Sequence, residues 1–108
     1  MPTSYLAADH GLCLENEASA MALLSSGLAA CIFTEQDLSA EFFDLKNCVA
    51  GNVFQKLTNY HFPIAIVLPA DHNHGDRVSE LALEHRAHPL IRFFETAHEA
   101  KEWIQTWV

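Results

Sequence analysis

The chain has 108 residues, half of them hydrophobic and 19% charged, with three cysteines and a formal net charge of -8. That is the length of one domain and the composition of a globular one. The acidic balance disfavours nucleic acid and anionic membrane surfaces, because no basic patch stands ready to displace counterions from phosphates; a protein or a small molecule is the expected partner.

Ser4 to Ala7 and Gly11 to Leu14, short apolar pieces around Asp9-His10-Gly11, predict a β-hairpin or a frayed start. Asn16 is a candidate N-cap for a helix over about 17–25, where Ala18, Met21, Ala22 and Ser25 recur at helical spacing and Gly27 suits its end. Residues 28–34, with Ala30, Cys31, Ile32 and Phe33 as an apolar run, predict a strand. A polar loop over 35–40 follows. Phe42, Leu45, Val49, Val53, Leu57 and Tyr60 then recur at steps of three or four, opposite a stripe of Asn52, Gln55, Lys56 and Asn59. This predicts an amphipathic helix over about 43–60, with room for a broken first turn. Gly51 lies in its middle at a cost of about 1 kcal/mol relative to alanine, which predicts a close approach of that helix to the sheet.

Phe62-Pro63-Ile64-Ala65-Ile66-Val67-Leu68, closed by Pro69, is the central stretch. Such a run reads as a strand covered on both faces. A loop with Asp71-His72-Asn73-His74 follows, then a helix capped by Asp76 and ending near His88, because Pro89 disfavours a helical residue before it. Residues 90–94 predict another strand. Thr96 and Glu99 form a capping box for a last helix carrying Ala97, Ala100, Ile104 and Trp107 on one face. Strands alternating with helices predict a mainly parallel sheet with right-handed crossovers.

No apolar run approaches the length of a membrane span, and the start lacks a basic region followed by an apolar one, so a cytoplasmic protein without a signal peptide is expected. Cys13, Cys31 and Cys48 fall in segments read as element interiors. Their odd number predicts buried free thiols in a reducing compartment.

Two passages resemble a known family. One runs Glu41-Phe42-Phe43-Asp44-Leu45 through Ala50-Gly51, Gln55-Lys56 and Asn59-Tyr60 to Ile64-Ala65-Ile66-Val67. The other runs His74-Gly75-Asp76-Arg77-Val78 through Glu84-His85-Arg86, His88 and Arg92-Phe93-Phe94 to Glu99-Ala100-Lys101-Glu102-Trp103. Together they resemble short bacterial proteins with a SpoIIAA-like, or STAS-like, fold, from about Glu17 to the end. The resemblance implies an α/β domain with a four- to five-stranded, mostly parallel mixed sheet flanked by about four helices, no cofactor, no known catalysis, and a partner-switching or ligand-sensing role. In the sigma-factor branch a serine opening a helix is phosphorylated. Leu45 falls at that position here, so this switch is not expected.

The candidate ligand- or partner-binding residues are Phe42, Asp44, Asn47, Lys56 and Asn59, in or beside the long helix, with Asp71, His72 and His74 beyond the central strand and His85 further on. Ligands in open α/β sheets bind beyond the carboxyl ends of the strands. Phe42 and Phe43 adjoin, so at least one is core and the other is available to an interface. Trp103 and Trp107 share a helix face as core or dimer contacts. His-x-His with a nearby carboxylate has donors suited to zinc, and His85 and His88 add imidazoles. The intervening helix spans roughly 15–18 Å, against a zinc–nitrogen distance of about 2.1 Å, so one site using both the loop and His88 is not expected. No nucleophile elbow or glycine-rich phosphate loop is present, and Cys31 and Cys48 lack a cue for an activated thiolate. The leading expectation is a non-enzymatic, homodimeric binding or regulatory module for a protein partner or a small apolar ligand, with no catalytic residue, metal or cofactor. The alternative is a small metal-binding protein or enzyme using the Asp71–His74 loop with His85 or His88.

Overall fold

The computed structural model describes residues 5–44, 49–69, 74–85 and 88–107. Three apolar runs become strands: β1 (Cys31–Thr34), β2 (Ile64–Val67) and β3 (Ile91–Phe94). They lie in the order β1-β2-β3, and both pairings are parallel. The register stacks Cys31, Ile64 and Ile91 in one row and Phe33, Ile66 and Phe93 in another, on one face. Ile32, Ala65 and Arg92 alternate onto the other face, as the two-residue period of a strand requires.

Helices α1 (Glu17–Leu24), α2 (Ala40–Phe43), α3 (Val49–Asn59), α4 (Asp76–Glu84) and α5 (Ala97–Gln105) surround this sheet. Residues of α1 to α4, including Leu23, Phe42, Val53, Leu57 and Val78, join Cys31, Phe33, Ile64, Ile66, Ile91 and Phe93 in one core. Ala100 and Ile104 of α5 pack with Ile32 and Ala65 in a smaller core on the opposite face. Right-handed crossovers between consecutive parallel strands account for α3 and α4 sharing a side. Helix α5 covers the other.

The described sheet therefore has three strands, not four to five, and no antiparallel pairing among the described residues makes it mixed. The reason lies in the opening segment. Ile32 N–H donates to the Tyr5 carbonyl at 2.7 Å, and Leu6 bridges Ile32 in parallel. That rung ends at once, because Ala7–His10 tightens into a 3-10 turn closed by Gly11 at φ 65°. Leu14 then bridges Leu38, away from the strands, so no hairpin forms.

Other expectations resolve locally. The Asn16 side chain accepts from Ser19 N–H at 3.2 Å, as its cap position predicts. The buried pair of α1 is Ala20 and Leu23, whereas Ala18, Met21 and Ala22 face solvent. Gly75, at φ 98°, rather than Asp76, stands at the N-cap of α4, which ends at Glu84. The helix expected over about 43–60 is interrupted near its start, where room was left for a broken turn: α2 stops at Phe43, and α3 runs Val49–Asn59. Gly51 is exposed, and a Cβ built on it meets nothing within 4 Å, so no close approach explains it. Leu45 and Cys48 lie outside the described residues. Cys31 is buried as expected; Cys13 is exposed, because its segment is irregular rather than the interior of an element.

Candidate functional site

At the carboxyl end of β1 the chain turns sharply over Glu35–Asp37. The Asp37 carboxylate accepts from Thr34 N–H at 2.9 Å and from the Thr34 hydroxyl at 3.0 Å. Leu14 N–H donates to the Asp37 carbonyl at 2.8 Å, and Ser39 N–H to the Leu14 carbonyl at 3.1 Å. These bonds pin both ends of the turn and hold Glu35 at its start. Ser39 then accepts from Phe42 N–H at 3.1 Å and opens α2. The single turn of α2 sends Phe42 into the core and leaves Phe43 half-buried. Their rings meet edge to face at 5.9 Å.

His74 enters from beyond β2, directly before the Gly75 cap of α4. Its ring lies on Phe43, with centroids 3.8 Å apart and planes within 5°. Its Nε2 meets Glu35 Oε2 at 2.8 Å. A carboxylate oxygen only accepts, so the proton of this bond sits on Nε2. Glu35, Leu38, Phe43, Asp44 and His74 line an open cleft of about 460 Å³. It lies beyond the carboxyl ends of β1 and β2, where ligands of open α/β sheets bind. Two carboxylates line it, and among the described residues no lysine or arginine does.

Of the residues expected from the sequence, the cleft gathers Asp44 and His74. Phe42 is core, 1% exposed, and the neighbouring Phe43 takes its place at the cleft. Asn59 is exposed and accepts from Gln55 Nε2 at 3.0 Å on the surface of α3; Lys56 lies on the same helix, and neither lines the cleft. His85 belongs elsewhere, against Phe54, Phe93 and His88. Asn47, Asp71 and His72 lie outside the described residues. Glu35 and Leu38 were missed, since 35–40 reads as a plain polar loop. The one signal was Thr34-x-x-Asp37, a capping pattern that fixes the turn and hence the position of Glu35.

The described cysteines are poor nucleophiles. Burial pushes the Cys31 thiol up to about 12. The Cys13 thiol donates to Glu15 Oε1 at 3.3 Å, and that bond, with some burial and the Glu15 and Asp37 charges, raises it as well. Among the described residues, no three His, Cys, Asp or Glu side chains group to hold a metal ion.

The family model described as a domain of unknown function, DUF4180, matches residues 5–104. Among curated proteins and among solved structures nothing matches. The family match overturns the SpoIIAA-like resemblance, to which nothing links this chain. Alternating strands and helices are common to many α/β folds, and the shared motif spacings did not discriminate among them.

Proposed function

Because the chain belongs to the DUF4180 family, whose description assigns no activity, we propose its function from its own surface: a binding module whose cleft takes a small molecule bearing a cationic nitrogen beside an apolar part. The observation that carries this reading is the Glu35–His74–Phe43 clamp. Glu35 commits Oε2 to His74, and its carboxylate lines the cleft. Asp44 adds a second carboxylate, and Leu38 and Phe43 supply apolar wall. A cleft of about 460 Å³ falls within the range of small-molecule sites, roughly 300–1,000 Å³. An ammonium or guanidinium group there gains charge-assisted hydrogen bonds, which are stronger than neutral ones.

Binding rather than catalysis is favoured by the raised thiols of Cys13 and Cys31. These two free cysteines suit a reducing cytoplasm. No helix among the described residues is long and apolar enough to cross a membrane. Exposed Tyr60, Leu83 and Trp107 offer apolar surface to a homodimer, which a sedimentation mass would read directly.

Amide NMR titration with phenethylamine tests the proposal, with phenylacetate as the control of opposite charge. Saturable shifts at Glu35–Leu38, Phe43, Asp44, His74 and Gly75 are expected with the amine alone. Glu35→Gln, which keeps an acceptor for His74 but removes the charge, should weaken binding several-fold. Equal response to phenylacetate, or no saturable shift at these amides, would sink the reading.

A further inference from the structure

A second histidine is built into the fold on the far side of α4 from the cleft residues in sequence, where the chain enters β3. His88 Nδ1 accepts from Leu90 N–H at 3.1 Å and from Ile91 N–H at 3.0 Å. A backbone N–H can only donate, so this nitrogen carries a lone pair, and the imidazole is neutral with its proton on Nε2. The arrangement copies an Asx turn, in which a side chain accepts from amides two and three residues on, with a titratable ring in place of an amide or carboxylate. The His88 carbonyl accepts from Arg92 Nε at 2.7 Å. Leu90 and Ile91 are the entry to β3, and the Leu90 carbonyl takes the Ile64 N–H at 2.9 Å in the first rung between β2 and β3.

The surroundings offer a protonated ring little welcome. From α4, His85 stacks on His88 with centroids 5.2 Å apart. His85 donates its Nδ1 proton to the Leu81 carbonyl at 2.9 Å. Phe54 of α3 and Phe93 of β3 close round His85. Among the described residues, the charged or titratable groups acting on His88 are His85, at the C-cap of α4, and Arg92 of β3, both of which repel a positive ring. Burial first, then those two groups, hold its pKa below the ordinary histidine value.

We propose that His88 is an acid-released latch: protonation at Nδ1 frees the Leu90 and Ile91 amides and loosens the entry to β3 while the rest of the sheet stays closed. The protonated nitrogen becomes a donor facing two donors, so both bonds are lost together. A base whose folded pKa lies below its unfolded value stabilises the native state above the unfolded value, and that contribution is lost as pH falls through the folded one. Loosening therefore belongs to the acid side of neutrality. One linked proton changes the opening equilibrium by at most roughly tenfold per pH unit, in the window between the folded pKa and the higher unfolded one.

Amide hydrogen exchange, expressed as protection factors, tests this between about pH 7.5 and about pH 5, a span that brackets the ordinary imidazole range. Protection at Leu90 and Ile91 should fall with acid, while the Ile66 and Val67 amides hold theirs. His88→Asn supplies an acceptor for the same two amides without titrating. It should keep neutral-pH protection and abolish the acid-dependent loss. His88→Phe removes the acceptor and should leave both amides weakly protected at every pH. The latch is overturned if wild-type protection there is independent of pH, if His88→Asn retains the acid loss, or if Ile66 and Val67 lose protection in parallel.

Discussion

Phe43 and His74, brought together from the two ends of the loops that follow β1 and β2, lie face to face with centroids 3.8 Å apart. The adjacent Phe42 points the other way, into the core, where it meets Phe54 edge to face at 5.6 Å. Two neighbouring aromatics thus have separable roles. Phe42→Ala should cost about 3–5 kcal/mol, as for other buried phenylalanines. Phe43→Leu keeps apolar bulk and loses only ring contacts, at about 0.5–1.5 kcal/mol. Urea denaturation of both variants measures the contrast; equal losses would show that Phe43 is structural in the same sense.

Gly51 occupies an exposed position within α3, with nothing near its missing Cβ. Gly51→Ala should therefore stabilise the protein by about 0.5–1 kcal/mol, through helix propensity and a less free unfolded chain. A raised thermal midpoint is the expected reading, and a lowered one would mean that something covers this position.

Thr96 caps α5 by accepting from Glu99 N–H at 3.3 Å, and its hydroxyl donates to Glu99 Oε1 at 3.1 Å. Thr96→Ala should cost about 1 kcal/mol. Thr96→Asp, which also accepts at an N-cap, should recover most of it. An unchanged urea midpoint in the alanine variant would remove the cap from the account of this helix.

The two described thiols should differ toward iodoacetamide. Cys13 is exposed and should be alkylated in the native protein, though more slowly than a free cysteine because its pKa is raised. Cys31 lies within β1, its thiol pushed up to about 12, and should react only after unfolding. Peptide mapping with and without denaturant distinguishes the two, and native labelling of Cys31 would contradict its burial.

Much of this fold could be read from apolar periodicity. Ile64–Val67 is a run of apolar residues, and it became the central strand, with Ile64, Ala65 and Ile66 wholly buried. The helix starting at Glu17 was legible from Asn16, but not the face it buries. Alanine, methionine and leucine surround that helix, so no stripe stands out, and tertiary packing selected Ala20 and Leu23. The expected first strand shrank because Gly11 lets the chain turn back after one rung. At the site, Asp44 and His74 were legible as polar residues flanking apolar elements. Glu35 was not, because its role depends on His74 meeting it across a contact between distant segments, and local pattern carries no information about such a meeting.

The Tyr5–Ile32 hydrogen bond and the Leu6–Ile32 rung lay the beginning of the chain along the outer side of β1. Among the described strands, β3 keeps one backbone side without a strand neighbour, and β1 has only that single rung on its outer side. Exposed edges are where foreign strands add, and among the described strands Ile91–Phe94 is one such edge. Arg92 sits inside that short edge, its Nε tied back to the His88 carbonyl and its guanidinium 5.1 Å from the Trp103 ring centroid. An incoming strand would have to pair beside a fixed positive charge, a common guard against runaway polymerisation.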